Sequence, residues 1–158
     1  MEGDAVSITN VSAPSADTSS GEGQDDRPTV LLPEGWGRPK GYANGMKARG
    51  EVVVTGGVVG WDAQERFADG FTAQFRQALE NIREILAAGG AHPRHLVRLT
   101  WYVTDLDAYR NSLREIGRIY RDEIGPFYPA MAVVQVVGLV EPEAMIEIEA
   151  TAVIPDRD

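Results

Sequence analysis

Two valine-rich runs limit what this chain can fold into more than any other feature. Val52-Val53-Val54, and Val133-Val134 with Val136-Val137, lack the polar alternation of a strand with one wet face. Successive strand side chains point to opposite faces, so these runs put branched apolar groups on both sides of a pleat. Helices of the same chain can cover one side. The other needs a cover as well, because a large contiguous apolar patch is not left in water, and the economical cover is another copy of the chain in closed symmetry. An oligomer is expected from the strands alone.

The elements around those runs follow from periodicity and turn residues. Tyr42 to Lys47 reads as a short strand, Ala48-Arg49-Gly50 as its turn, and Glu51 to Thr55 as a second strand ending at Gly56-Gly57, together an opening hairpin. Phe71, Phe75, Leu79, Ile82 and Leu86 recur at helical spacing until Gly89-Gly90, which predicts an amphipathic helix from about Asp69, its expected N-cap, to Ala88. Leu96 to Thr104 alternates as a strand. Leu106 to Ile124 predicts a second helix, with Tyr109, Leu113, Ile116, Tyr120 and Ile124 on one side before Gly125-Pro126. Strands at Ala132 to Leu139 and Met145 to Ile154 close the chain. The order β-β-α-β-α-β-β gives an α+β fold, a single sheet with two helices on one face.

A chain of 158 residues suits one domain. Residues up to about Pro28 carry six acids against Arg27 and no sustained apolar period. Such a segment buries too little apolar surface to offset its ordering entropy. An acidic, disordered tail over 1–33 and a folded domain over 34–158 are expected. The net charge of −9 opposes the phosphate contacts on which nucleic-acid binding depends, and no cysteine is present for thiolate chemistry or disulfides. Neither a basic leader nor an apolar run of about eighteen residues occurs, so the expectation is a soluble cytoplasmic protein with no nucleic-acid or membrane partner.

Motifs with their own chemistry are few. His92 and His95 have a chelating spacing, but they flank Pro93 in a glycine-rich loop without a third ligand, so no metal site is expected. Gly56, Gly57 and Gly60 do not make a dinucleotide fingerprint, and serine hydrolase motifs are missing. No cofactor is called for.

A distributed set of short motifs is more informative. Gly41-Tyr42, Val54-Thr55-Gly56-Gly57, Gln77-Ala78-Leu79-Glu80-Asn81-Ile82, Ala87-Ala88-Gly89, Thr100-Trp101-Tyr102-Val103, Pro129-Ala130 and Ile146-Glu147-Ile148-Glu149-Ala150-Thr151-Ala152 stand in this order. In that order and at those separations, the stretch from Gly41 to Ile154 resembles the RidA/YjgF family, over 114 of the 158 residues. The resemblance implies a chorismate-mutase-like sheet with outer helices, a homotrimeric barrel, and a small-molecule pocket at each subunit boundary. It also implies hydrolysis of reactive imines and enamines, such as 2-aminoacrylate, to keto acids and ammonia.

In the best-known members of that family an arginine follows the Pro-Ala pair and forks onto the substrate carboxylate. Here Met131 holds that place, and a thioether offers no charge and only a weak acceptor. A second departure is Gly57, where active members usually carry glutamine. The resemblance assigns Glu147 to the water-orienting acid and sets Tyr42 and Met131 in the substrate pocket; Thr55 and the amides of Gly56 and Gly57, which a ligand could approach closely, complete the candidate substrate-binding set with Trp61 and Val133. Read without it, Glu147 and Glu149 are a solvated strand face, Tyr42 a half-buried aromatic, the glycines a strand end, and Trp61 and Trp101 packing residues.

Two functions stay open at this level. One is an enzyme acting on an imine, enamine or related carbonyl compound that lacks an α-carboxylate. The other is a non-catalytic module that binds a small apolar ligand or a protein. Ribonuclease activity, a label some family members have carried, is disfavoured by the acidic balance.

Overall fold

The computed structural model describes residues 27–156, so most of the segment expected to be an acidic tail lies outside the described residues. In chain order the elements are strands β1 (Thr29–Leu31), β2 (Gly45–Lys47), β3 (Glu51–Val54) and β4 (Val58–Val59), helix α1 (Phe71–Ala88), strand β5 (Leu96–Val103), helices α2 (Leu106–Asn111) and α3 (Leu113–Glu123), and strands β6 (Ala130–Gln135) and β7 (Ile146–Ile154). The main sheet has five strands in the order β3-β7-β5-β6, with β4 also paired to β7. Only β5 and β6 run parallel, and α2 and α3 supply the crossover that a parallel neighbour needs.

The sequence fails at the opening hairpin. β2 does not pair with β3; it pairs antiparallel with β1, Val30 opposite Met46, as a separate two-stranded ribbon. The β1 segment has no apolar alternation long enough to announce itself, and only β2 as a template makes it a strand. The plan is therefore a five-stranded sheet plus a ribbon, not a single sheet. The expected strand from Ala132 runs instead from Ala130 to Gln135, leaving Val137 and Val140 in an exposed loop.

Helix α1 buries Phe71, Phe75, Ala78, Leu79, Ile82 and Leu86, the face that the spacing predicts. Its cap is Gly70 at φ 85°, with no side-chain cap, so Asp69 does not fill the expected role. At the other end Ala91 N–H donates to Leu86 O and Gly90 N–H to Ala87 O, a Schellman closure for which Gly90 takes φ 74°. The second expected helix is two: Ser112, at φ −109° and ψ 8°, ends α2 and begins α3. The two helix layers are clamped by Glu123, whose carboxylate receives Arg76 at 2.5 Å and Arg83 at 2.8 Å.

Along β7 the alternation is sharp. Ile146, Ile148, Ala150 and Ala152 are buried under the helices, and Glu147, Glu149 and Thr151 point away from them. In β3, Val53 packs against the core while Val52 and Val54, on the side away from the helices, remain 60% and 64% exposed. The chain covers one face of its sheet and leaves part of the other apolar and bare.

One buried polar residue ties the layers together. Gln74 on α1, 3% exposed, donates to Glu143 O at 2.9 Å and accepts from Met145 N–H at 2.8 Å, fixing the entry into β7. Replacing it by leucine would remove the side-chain partner of the Glu143 carbonyl and of the Met145 N–H, both of them at the margin of the core. Gln74→Leu should lower unfolding stability by about 1–3 kcal/mol in urea titration, since each of the two lost hydrogen bonds is worth roughly 0.5–1.5 kcal/mol; an unchanged midpoint would contradict this role.

Candidate active site

The register of β6 against β5 decides where Met131 points. Met131 lies opposite Leu99 and Val133 opposite Trp101, and both β5 residues are buried on the helix side. Met131 and Val133 therefore share that face, at the edge strand of the sheet. There they line a cavity of about 330 Å³ roofed by α2 and α3. Tyr42 and Lys40 border it from the segment that Ala43 anchors to β6, its N–H donating to Pro129 O at 2.9 Å.

The cavity is walled by aromatic rings. Tyr120 and Tyr128 stack at 5.2 Å and 18°, and Trp101 meets Tyr109 edge-on at 6.4 Å. Tyr120 gives its hydroxyl to Phe127 O at 2.5 Å, and burial, with Tyr128 beside it, holds its phenol well above the ordinary range. Trp101 Nε1 is buried without a hydrogen-bond partner. Lys40 is the one basic residue lining this cavity among the described residues. Nothing in the wall reproduces a guanidinium fork at position 131. The lining is largely apolar and aromatic.

The other expected site residues lie toward the opposite edge of the sheet, around β4. Val54 faces Thr151 and Val58 faces Ile148, so Thr55, Gly56 and Gly57 oppose only Ala150 and Glu149, which makes a β-bulge between β3 and β4. Thr55 holds it: its N–H donates to Ala150 O at 2.9 Å, its Oγ1 accepts from Ala150 N–H at 3.0 Å and donates to Gly56 O at 2.7 Å. Its hydroxyl thus serves the bulge. Glu147, half-buried, extends over Gly57. Trp61 packs on Phe67 at 5.5 Å and, with Gly57 and Asn81, lines a groove of about 470 Å³ between β4 and α1.

Within one protomer the candidates therefore form two groups. Tyr42, Met131 and Val133 gather at the β6 edge on the helix face; Gly57, Trp61 and Glu147 gather toward the β4 edge, with Glu147 on the opposite face. Glu149 is engaged by Tyr102, whose hydroxyl donates to its Oε1 at 2.7 Å. His92 and His95 are used as backbone caps: His92 Nδ1 accepts from Arg94 N–H at 3.2 Å and His95 Nδ1 accepts from His92 N–H at 3.0 Å. No group of three or more His, Cys, Asp or Glu able to hold a metal occurs among the described residues, and none of their helices is long and apolar enough to cross a membrane.

Sequence reasoning assigned Tyr109 and Tyr120 to the buried helix side and missed Lys40 and Tyr128 altogether. The usable signal was Gly117, in mid-helix, where glycine costs roughly 1 kcal/mol relative to alanine. It lies on the cavity wall between Leu113 and Tyr120, where a side chain would narrow the space.

Such a mixed sheet, bulged beside a carboxylate and covered by helices on one face, defines an α+β domain of YjgF-like fold. Residues 38–154 match the model of the family described as Endoribonuclease L-PSP, and the chain belongs to that family, the RidA/YjgF group. It is 32% identical over 113 residues to the 2-iminobutanoate/2-iminopropanoate deaminase of Salmonella typhimurium, covering 71% of this chain and 86% of that one. A RutC family protein of Pasteurella multocida is 36% identical over 81 residues, 51% of this chain and 62% of its own length. Among solved structures, the Rid family protein YyfB of Yersinia pestis superposes with a TM-score of 0.68 at 31% identity, covering 81% of this chain and 99% of that one.

Three of the chain's five tyrosines are held above the ordinary phenol range: Tyr102 by its bond to Glu149, Tyr109 and Tyr120 by burial. A raised native value means the protonated phenol favours folding. That contribution is present below the ordinary tyrosine value of about 10 and is lost as pH climbs through the raised values. An ultraviolet tyrosinate titration should lag in the folded protein behind the urea-unfolded chain, and Tyr102→Phe should remove one delayed ionisation. Superimposed curves would refute the assignment.

Proposed function

We propose that this protein is a RidA-like deaminase that hydrolyses an imine or enamine without an α-carboxylate, in a site built from two protomers of a homotrimer. The observation that carries the reading is the neutral Met131 on the wall of an aromatic cavity, in a chain related to a deaminase of 2-imino acids. A charge-assisted pair lost from a closed pocket costs about 2–5 kcal/mol, so 2-imino acids should be poor substrates here.

The two groups of candidates sit at opposite edges of one sheet. A head-to-tail interface repeated around a threefold axis sets the β6 edge of one copy against the β4 edge of the next. Tyr42, Met131 and Val133 of one protomer would then face Gly57, Trp61 and Glu147 of its neighbour. The same assembly covers Val52 and Val54. In that site Glu147 takes a proton from water as the water oxygen bonds to the imine carbon, while the C=N π pair moves to nitrogen, which takes up a proton from solvent water. Glu147 then returns its proton to the amino nitrogen of the carbinolamine, the hydroxyl proton passes to solvent as the C=O bond forms, and the C–N bond breaks to release ammonia. Holding the water and substrate together removes much of the entropic barrier, and a positioned carboxylate base is worth roughly 10²–10⁴ in rate.

A ketimine of acetophenone and 2-iminopropanoate, compared by ammonia release, test the reading. The aromatic imine should be the better substrate, and Glu147→Gln should lower its kcat by about 10²–10⁴. Met131→Arg should raise kcat/KM toward 2-iminopropanoate by about 10²–10³. Inactivity toward both imines would remove the enzymatic reading and leave the second, a non-catalytic module. The apolar wall around Met131 favours that alternative to the extent that it binds aromatic ligands without turnover. Sedimentation showing a monomer would remove the shared site.

A further inference from the structure

Glycine inside a helix gives up the most backbone freedom on folding and packs no side chain, so a mid-helix glycine calls for a use. Gly117 stands in the middle of α3, with Leu113 about one turn before it and Tyr120 about one turn after. At i, i+4 and i+7 the three residues form one stripe of the helix, and all three line the aromatic cavity. The amphipathic pattern of α3 asks for an apolar side chain at the middle place. The chain supplies none.

The usual reasons for a glycine do not apply here. Gly117 is not among the glycines with positive φ, so no left-handed turn requires it. It is also turned away from α1. Helix α3 grips α1 through Glu123, which receives Arg76 and Arg83, and six residues of helix set Gly117 roughly 120° around the axis from that carboxylate. What the missing side chain opens is the cavity of about 330 Å³, which Met131 and Val133 close from the sheet.

We infer that Gly117 is a specificity-determining residue, which deepens the cavity up to the backbone of α3 so that it takes an imine bearing a fused two-ring aromatic group. Trp101, Tyr120 and Tyr128 wall that space, and their ring faces suit a flat body. A one-ring group is held by the walls alone, whereas a two-ring group reaches position 117. The imine in this statement rests on the deaminase reading. The seat for the rings lies within one protomer and is read by binding alone.

The test uses 2-acetonaphthone and acetophenone, the ketones that hydrolysis of the matching imines would release. Each is titrated by calorimetry into the full-length protein and into its Gly117→Ala and Gly117→Leu variants. The unaltered protein should bind 2-acetonaphthone the more tightly. Gly117→Ala should raise the urea midpoint, through its better helix propensity, and weaken 2-acetonaphthone binding about 10-fold. Gly117→Leu should weaken it by about 10- to 200-fold and acetophenone binding far less, reversing the preference. A ratio of the two Kd values that neither substitution moves overturns the proposal. So does a midpoint that fails to rise in Gly117→Ala, because the glycine would then serve backbone packing. Should Gly117→Leu not fold, the alanine variant decides alone. Binding of neither ketone by the unaltered protein also overturns the proposal, whatever the imines do. Ketone binding as expected without ammonia release from either imine removes the deaminase reading and leaves the seat for the rings in place.

Discussion

The structure depends on strand β7. It is paired along one edge to β3 and β4 and along the other to β5, so its backbone is satisfied on both sides and its residues can only alternate between two faces. On one face Ile146, Ile148, Ala150 and Ala152 are closed over by α1, which brings Phe75, Leu79 and Ile82 onto them. The other face must then present Glu147, Glu149 and Thr151. A register slip of one residue would bury two carboxylates and expose the isoleucines, at a cost far above the stability of a domain this size. The acid of the candidate site is held in place by the packing of the core.

The same alternation keeps the candidate residues Met131 and Glu147 apart within one protomer. β6 displays Met131 on the helix face because it follows the register of β5, whereas Glu147 must face away from the helices. The two side chains are separated by β5 and by the thickness of the sheet. In the proposed trimer a second copy would bring both to one cleft, and it would also cover the bare valines of β3. The proposed assembly thus answers the uncovered face of β3 and the separation of Met131 from Glu147 with one partner.

Much of this was legible in residue order. The helix periodicity of Phe71 to Leu86, the alternation of Ile146 to Ala152 and the valines of β3 are local patterns, set by hydrophobic burial at periods of 3.6 and 2. The distributed motifs identified the family by their fixed order along the fold: Gln77 to Ile82 lies within α1, Thr100 to Val103 within β5 and Ile146 to Ala152 within β7. What stayed illegible is what needs a distant partner. β1 exists because β2 offers it an edge. The bulge at Thr55–Gly57 exists because β3 and β4 both pair to β7, a segment about ninety residues later. The break at Ser112 carries neither proline nor glycine to mark it, so periodicity alone ran one helix through it.

The sequence by itself determined the α+β class, the sidedness of its main elements and the chemical identity of position 131, because side-chain polarity and period are properties of neighbours along the chain. Only the tertiary structure decided that Met131 lines an aromatic cavity while Glu147 rests over Gly57 on the other side of the sheet. Those placements are set by strand register and by one inserted residue. Both are fixed when non-local hydrogen bonds form, and no local pattern encodes them.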